Sequence, residues 1–394
     1  MRAVSVASEL PALAPEEAAH SARLEHRIRE EIERAGGWIS FARYMELALY
    51  EPGLGYYSAG ARKLGAAGDF VTAPEVAPVF SRCLAVQCEE VLRALGGGDV
   101  LELGAGSGAM AADLLQELAR RDALPARYLM LDVSADLRER QRATLEAAVP
   151  GLAERIEWLD RWPEGFNGVV VANEVLDAMP VERFVVRAGA VHALGVAWQL
   201  GRLQWSEAPA GGALADAVRA IEHDTGGWPE GYASEVNLGL GGWFAALGAS
   251  LERGVLLFVD YGLPRRELYS PERSDGTLLC HFRHRFHADP FVHPGLQDIT
   301  AWVDFTAVAE AAAAAGLEVA GYTTQAHFLI GSGLGGFLAN VGDLDVVSRV
   351  NLSRQAMVLT LPGEMGERFK AIALAKGYDA PLCGFAARDL RHTL

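Results

Sequence analysis

Residues 101–110 read Leu-Glu-Leu-Gly-Ala-Gly-Ser-Gly-Ala-Met (LELGAGSGAM). The apolar run Asp99-Val-Leu-Glu-Leu103 has the period of a buried strand, and it passes directly into Gly104, Gly106 and Gly108. A helix-forming stretch starts at Ala109. Glycine at these places permits a tight turn and lets a ligand approach the backbone, with the amino end of the next helix facing it.

Two ligand classes use such a turn. A dinucleotide fold requires GxGxxG or GxGxxA, and Gly104, Gly106 and Ala109 satisfy it. A methyltransferase turn reads E/D-x-G-x-G-x-G, and Glu102, Gly104, Gly106 and Gly108 satisfy that too. Glu102 favours the second class. A carboxylate repels a pyrophosphate but attracts the ammonium and sulfonium groups of S-adenosylmethionine. A plain strand-to-helix turn is the third reading.

Outward from this turn, short apolar runs alternate with helical stretches. Tyr128–Val133 reads as a second strand, Ile156–Leu159 as a short third and Val169–Ala172 as a fourth, with another at Val255–Asp260. Continuous apolar strands between helices indicate a parallel sheet covered on both faces. Asp132 ends the second strand, where an acid accepts both ribose hydroxyls of a nucleoside. Asp160, after the third strand, is a candidate acceptor for an adenine amino group; Trp158 and Leu159 suit packing of the ring, or of the core. After the fourth strand, Asn173-Glu-Val-Leu-Asp-Ala-Met-Pro-Val-Glu-Arg-Phe184 places Asn173, Glu174, Asp177 and Glu182 at the ligand crevice of a wound sheet.

The flanks organise differently. Leu24, Ile28 and Ile32 draw one helical stripe between Glu16 and Ala35, and Ser40 is placed to cap the helix Phe41–Tyr50. The glycine-rich stretch 53–74 reads as one long loop, followed by a single helix from about Glu75 to Leu95. Residues 183–227 read as inserted antiparallel strands, and 263–300 as a long His- and Pro-rich insertion. Two final strands, LEVAGYTT and RFKAIALA, enclose a helical excursion. The expected divisions are 1–95 (helices and loop), 96–182 (first part of the core), 183–245 (inserted strands and helix), 246–262 (core strand) and 263–394 (His-rich insertion and last core strands).

Composition narrows the function. Half the residues are hydrophobic (51%), which supports a packed core. The formal charge of −16 argues against nucleic acid or an anionic membrane as partner. Cys83, Cys88, Cys280 and Cys383 form no CxxC pair, so a disulfide framework or zinc site is not expected and a reducing, cytoplasmic location is. His281, His284, His287 and His293 lack the spacing of a metal site, and Arg283 and Arg285 among them would repel a cation. No metal is expected.

The chain resembles the MidA-like family of S-adenosylmethionine-dependent methyltransferases, whose mitochondrial members are arginine methyltransferases needed for respiratory complex I assembly. The resemblance rests on ISFARYMELALYEPGLGYYS, GDFVTAPEV, LELGAGSG, LDVSADLRERQ, NEVLDAMPVERF, VDYG, SDGTLLC, DITAWVDFTA and GEMGERFKA, in order, over about residues 38 to 385. The family usually carries NEFFDALP where this chain has NEVLDAMP, and its second strand more often ends in Glu than in Asp132. The resemblance implies a class I, Rossmann-like fold: a seven-stranded, mostly parallel sheet with an N-terminal helical extension and substrate-side insertions. It implies S-adenosyl-L-methionine as cofactor, covered by Gly68, Asp69, Phe70 and Thr72. It also implies a protein substrate such as an NADH dehydrogenase subunit, whose arginine would be clamped by Glu174 and a second acid. Asp177 is the first candidate for that acid, with Glu182 and Glu235 in reserve. A small-molecule substrate, a cofactor-binding assembly factor with little catalysis and a nicotinamide oxidoreductase are the alternatives, and a homodimer stays open.

Overall fold

The computed structural model describes residues 10–59, 72–132, 135–339 and 345–394, with the backbone alone at 135 and 136. The chain divides into two compact units. One draws on Val71–Val175, Gly241–Leu263 and Phe305–Leu394, the other on Met1–Phe70, Leu176–Leu240 and Pro264–Asp304.

The first of these holds the central sheet. We number its strands along the chain: β1 Asp99–Leu103, β2 Tyr128–Leu131, β3 Ile156–Leu159, β4 Phe166–Asn173, β5 Leu251–Leu263, β6 Glu318–Thr324 and β7 Phe369–Lys376. Their order across the sheet is β6-β7-β5-β4-β1-β2-β3. Strands β1 to β5 run parallel, and β7 lies antiparallel between β5 and β6. Seven strands follow one another in this order, a short strand, Val303–Asp304, also pairs with β5, and the sheet is mostly parallel, as expected of a class I methyltransferase. Val169, Val170, Val171 and Ala172 are all buried, as a central strand covered on both faces requires. The helix Ala109–Arg120 buries Met110, Ala111, Leu114, Leu115 and Leu118, one helical face.

One helix differs from expectation. The stretch after Thr72 forms two helices, Ala73–Val76 and Pro78–Leu95, not one. Ala77 between them is extended (φ −159°, ψ 134°), because the ring of Pro78 excludes the helical region for the residue before it.

The other unit gathers both insertions with the N-terminal helices Pro15–Arg34 and Phe41–Tyr50. Its antiparallel sheet orders Arg202–Pro209, Ala190–Gln199, Glu182–Arg187 and Ala233–Val236, and the His-rich insertion forms a three-stranded sheet of Arg285–His287, Leu279–Phe282 and Asp298–Thr300. Leu24, Ile28 and Ile32 are buried with Phe41, Tyr44, Val196, Cys280 and Ile299 in one core. The Ser40 hydroxyl caps the second helix, accepting from the Arg43 N–H at 3.3 Å.

At the amino edge of the sheet, Asp99, Gly168 and Gly254 lie side by side on β1, β4 and β5. A Cβ at Gly168 would run into the Asp99 carbonyl, and one at Gly254 into the Gly168 carbonyl. Gly168 also has φ +149°, a conformation side chains disfavour. Gly168→Ala is therefore expected to destabilise the protein by roughly 3 kcal/mol or more, from overpacking and backbone strain together. Thermal melting checks this; a melting temperature within a degree of native would show that the strands separate freely here.

Candidate functional site

Parallel register sets the site. Leu103 pairs with Leu131 on one side and Ala172 on the other, Leu131 pairs with Leu159, and Asn173 with Val259. The residues that follow these positions therefore lie along one carboxyl edge: the glycine turn, Asp132, Asp160, Glu174 and Asp260. β1 neighbours β2 on one side and β4 on the other, so the edge opens beside β1 where the winding reverses, the usual ligand crevice of such sheets.

The turn itself runs through three left-handed glycines, Gly104 (φ +62°), Gly106 (φ +54°) and Gly108 (φ +83°). A Cβ on Gly108 would sit 3.2 Å from the Cα of Gln141, so the helix from Ala109 begins pressed against the helix carrying that residue. Gln141 is fully buried. Its amide nitrogen donates to the Asp132 carboxylate at 3.0 Å and to the Gly106 carbonyl at 3.2 Å, and its oxygen accepts from the Trp158 indole at 2.9 Å. Asp132 is itself 8% exposed. Leu159 offers its carbonyl to Arg138 at 2.8 Å, and the same guanidinium pairs with Asp160 at 2.7 Å. Asp160 is 87% exposed, so its one described ion pair is a surface one.

Glu102 is sealed in the sheet at 1% exposure. Its carboxylate accepts from the Tyr128 hydroxyl at 2.6 Å. Burial pushes its pKa up to about 7; the Tyr128 hydrogen bond pulls it down and the nearby charge of Asp132 adds to the rise.

At the end of β4, Glu174 adopts φ +53°, strained for a residue with a side chain. Its N–H donates to the Val259 carbonyl at 2.9 Å, and the next N–H, of Val175, donates to the buried Asp260 carboxylate at 3.1 Å. The turn is thus tied to β5. The Glu174 Oε1 accepts from the Asn173 amide at 2.9 Å and from the Ala73 N–H at 3.3 Å, directly after Thr72. The Asn173 amide oxygen is buried and has no hydrogen-bond partner among the described residues.

The remaining candidates fall elsewhere. Gly68, Asp69 and Phe70 lie outside the described residues. Asp177, 5% exposed, belongs to the other unit, where its carbonyl accepts from the Ala301 N–H at 3.0 Å. Glu182 and Glu235 belong there as well. Burial raises the pKa of each; Ser40 and Ala42 donate to Glu182, and Arg183 and Thr277 face Glu235. Sequence reasoning gave no role to Tyr128, Gln141 or Asp260. Nothing in the sequence of its helix, Ala135–Ala148, set Gln141 apart from the polar residues around it.

Comparison with known proteins fixes the family. A model described as "Putative S-adenosyl-L-methionine-dependent methyltransferase" matches residues 83–323. The crystal structure of a Burkholderia thailandensis protein bound to S-adenosyl-homocysteine is 44% identical, with a TM-score of 0.94 over 98% of this chain and 100% of that one. The chain belongs to the MidA-like family of S-adenosylmethionine-dependent methyltransferases. Other relatives are the Drosophila melanogaster protein arginine methyltransferase NDUFAF7 homolog, mitochondrial (28% identical; 89% of this chain, 86% of the relative), and Danio rerio protein arginine methyltransferase NDUFAF7, mitochondrial (29%; 85% and 83%). These names overturn the cytoplasmic expectation, since the relatives are mitochondrial. Free cysteines report a reducing compartment and do not say which one.

S-adenosylmethionine is the family's methyl donor, and the carboxyl edge suits it. Glu102 carries a buried carboxylate whose charge a nearby ligand ammonium would stabilise, Asp132 a carboxylate that could accept from ribose hydroxyls, and Asn173 a buried amide oxygen without a hydrogen-bond partner among the described residues. The absence of a Cβ on Gly104 and Gly106 leaves the backbone approachable. The raised pKa of Glu102 has a consequence for the ligand-free protein. Its ordinary value is 4.5, so below that pH it is protonated folded or unfolded and its contribution to stability is fully present; as pH rises through about 7 that contribution is lost. Glu102→Gln keeps an acceptor for Tyr128 without the charge. It should melt higher than native protein at pH 8, by stability on the order of 3 kcal/mol, with the difference vanishing below pH ~4.5. Equal melting at pH 8 would place Glu102 in a well-solvated setting.

Proposed function

We propose that this chain transfers a methyl group from S-adenosylmethionine to an arginine of a partner protein. The observation that carries the proposal is the name shared by relatives aligned over more than four-fifths of both chains, protein arginine methyltransferase. We take the partner to be a complex I subunit, in line with the resemblance read from the sequence.

The site chemistry is compatible. In the transfer a bond forms between guanidinium nitrogen and methyl carbon as the sulfur–carbon bond breaks, and the nitrogen releases a proton. Arginine is protonated at any cellular pH and its lone pairs are delocalised. A carboxylate held against two of its nitrogens fixes the plane and concentrates density on the third. Glu174 is the residue we assign to this, because the strained turn and the hydrogen bonds from Asn173 and Ala73 set the direction of its side chain.

Incubation with labelled S-adenosylmethionine and host lysate, followed by mapping of the labelled residue by mass spectrometry, tests the proposal. Label on an arginine of an NADH dehydrogenase subunit supports it; label confined to another residue type or a small molecule contradicts it. Glu174→Gln should leave S-adenosylhomocysteine affinity within about twofold while transfer falls roughly 100-fold, as expected for a charged pair made with the aligned substrate. Full activity in that variant would move the clamp elsewhere.

A further inference from the structure

Gln141 stands where three pieces of the carboxyl edge meet: the glycine turn, the end of β2 and the indole on β3. The orientation of its amide follows from its partners. An indole N–H only donates, so Trp158 must face the oxygen; a carboxylate and a carbonyl only accept, so Asp132 and Gly106 must face the nitrogen. Both amide hydrogens and the oxygen are used, and the side chain is fully buried. A buried amide satisfied on every side is rigid, and its loss would leave several partners unmet.

Trp158 therefore orients the amide, and the amide orients Asp132. An acid at a strand end can turn about two side-chain bonds; accepting two ribose hydroxyls requires one of those settings. Gln141 donates to one oxygen of Asp132 and to the carbonyl of Gly106 in the turn. We propose that Gln141 is a positioning residue for nucleoside recognition, coupling ribose binding by Asp132 to the glycine turn and to Trp158. The inference rests on the reading of Asp132 as the ribose acceptor.

The test compares the affinity of the full-length protein for S-adenosylhomocysteine with that for its 2′,3′-dideoxy analogue, by calorimetry. Native protein should prefer the hydroxylated ligand by roughly 10-fold or more, the range of a hydrogen bond to a charged group. Gln141→Met, close in shape but without the amide, should bring the two affinities within about twofold. Asp132→Asn should do the same, and the double variant should be no worse than either single one, as for residues acting as a unit. A purely structural role for Gln141 would lower melting temperature and both affinities together, leaving their ratio unchanged.

Trp158→Phe keeps a ring on a partly exposed strand and removes the N–H that orients the amide; the ratio should fall, by a smaller factor. If Gln141→Met does not fold, this variant decides. A native ratio retained by either folded variant overturns the inference. A native protein that binds S-adenosylhomocysteine but does not discriminate overturns the ribose reading of Asp132, and the inference with it; label mapping on the partner arginine is unaffected by that result.

Discussion

A carboxylate buried at 1% exposure, with a tyrosine hydroxyl as its hydrogen-bond donor among the described residues, is expensive to keep charged. Glu102 occupies that position on β1, and the glycine turn that follows it is the part of the sheet a ligand can approach. A cation brought to the same edge relieves the penalty, and a pyrophosphate would aggravate it. On the proposed reading of Glu102 as the acid that faces the cofactor's ammonium, the choice between the two nucleotide classes that share this turn would be made electrostatically.

Everything else at the edge follows from register. Five parallel strands end together, so their terminal acids and amides gather without any long-range instruction. Gathered acids repel, and the structure answers by giving them neighbours: Gln141 for Asp132, Arg138 for Asp160, the Val175 and Tyr261 N–H groups for Asp260. Glu174 is held by Asn173 and Ala73 in a backbone conformation that stores strain. Such strain persists where surrounding contacts over-determine it, and it is often found at working residues.

Much of this was legible in the sequence, for local reasons. A strand ending in an acid and three alternate glycines has few structural meanings, and apolar runs of four to six residues between helices force a parallel sheet. The break at Ala77 was not read from the sequence, although Pro78 carries the signal for it. The partners were less legible. Whether Asp160 is a ligand group or a surface ion pair depends on Arg138, twenty-two positions earlier, and the helical stretch around it shows only alternating charge. Gln141 looked like one more polar residue on a polar helix; its full burial depends on how closely Gly108 lets two helices approach. The gathering of both insertions and the N-terminal helices into one core likewise rests on pairings distant in the chain.

On the proposed role of Glu102, its carboxylate gains a charge when the cofactor's ammonium arrives, and proton release would report that directly. Calorimetric titration with S-adenosylhomocysteine at pH 7, in buffers of different ionisation enthalpy, counts the protons. With a pKa of about 7 in the free protein, roughly half a proton should leave per ligand bound at pH 7, a release that should disappear in Glu102→Gln. Release of the same size in native protein and in Glu102→Gln would contradict the account, because the titrating group would then lie outside the carboxylate on which it is built.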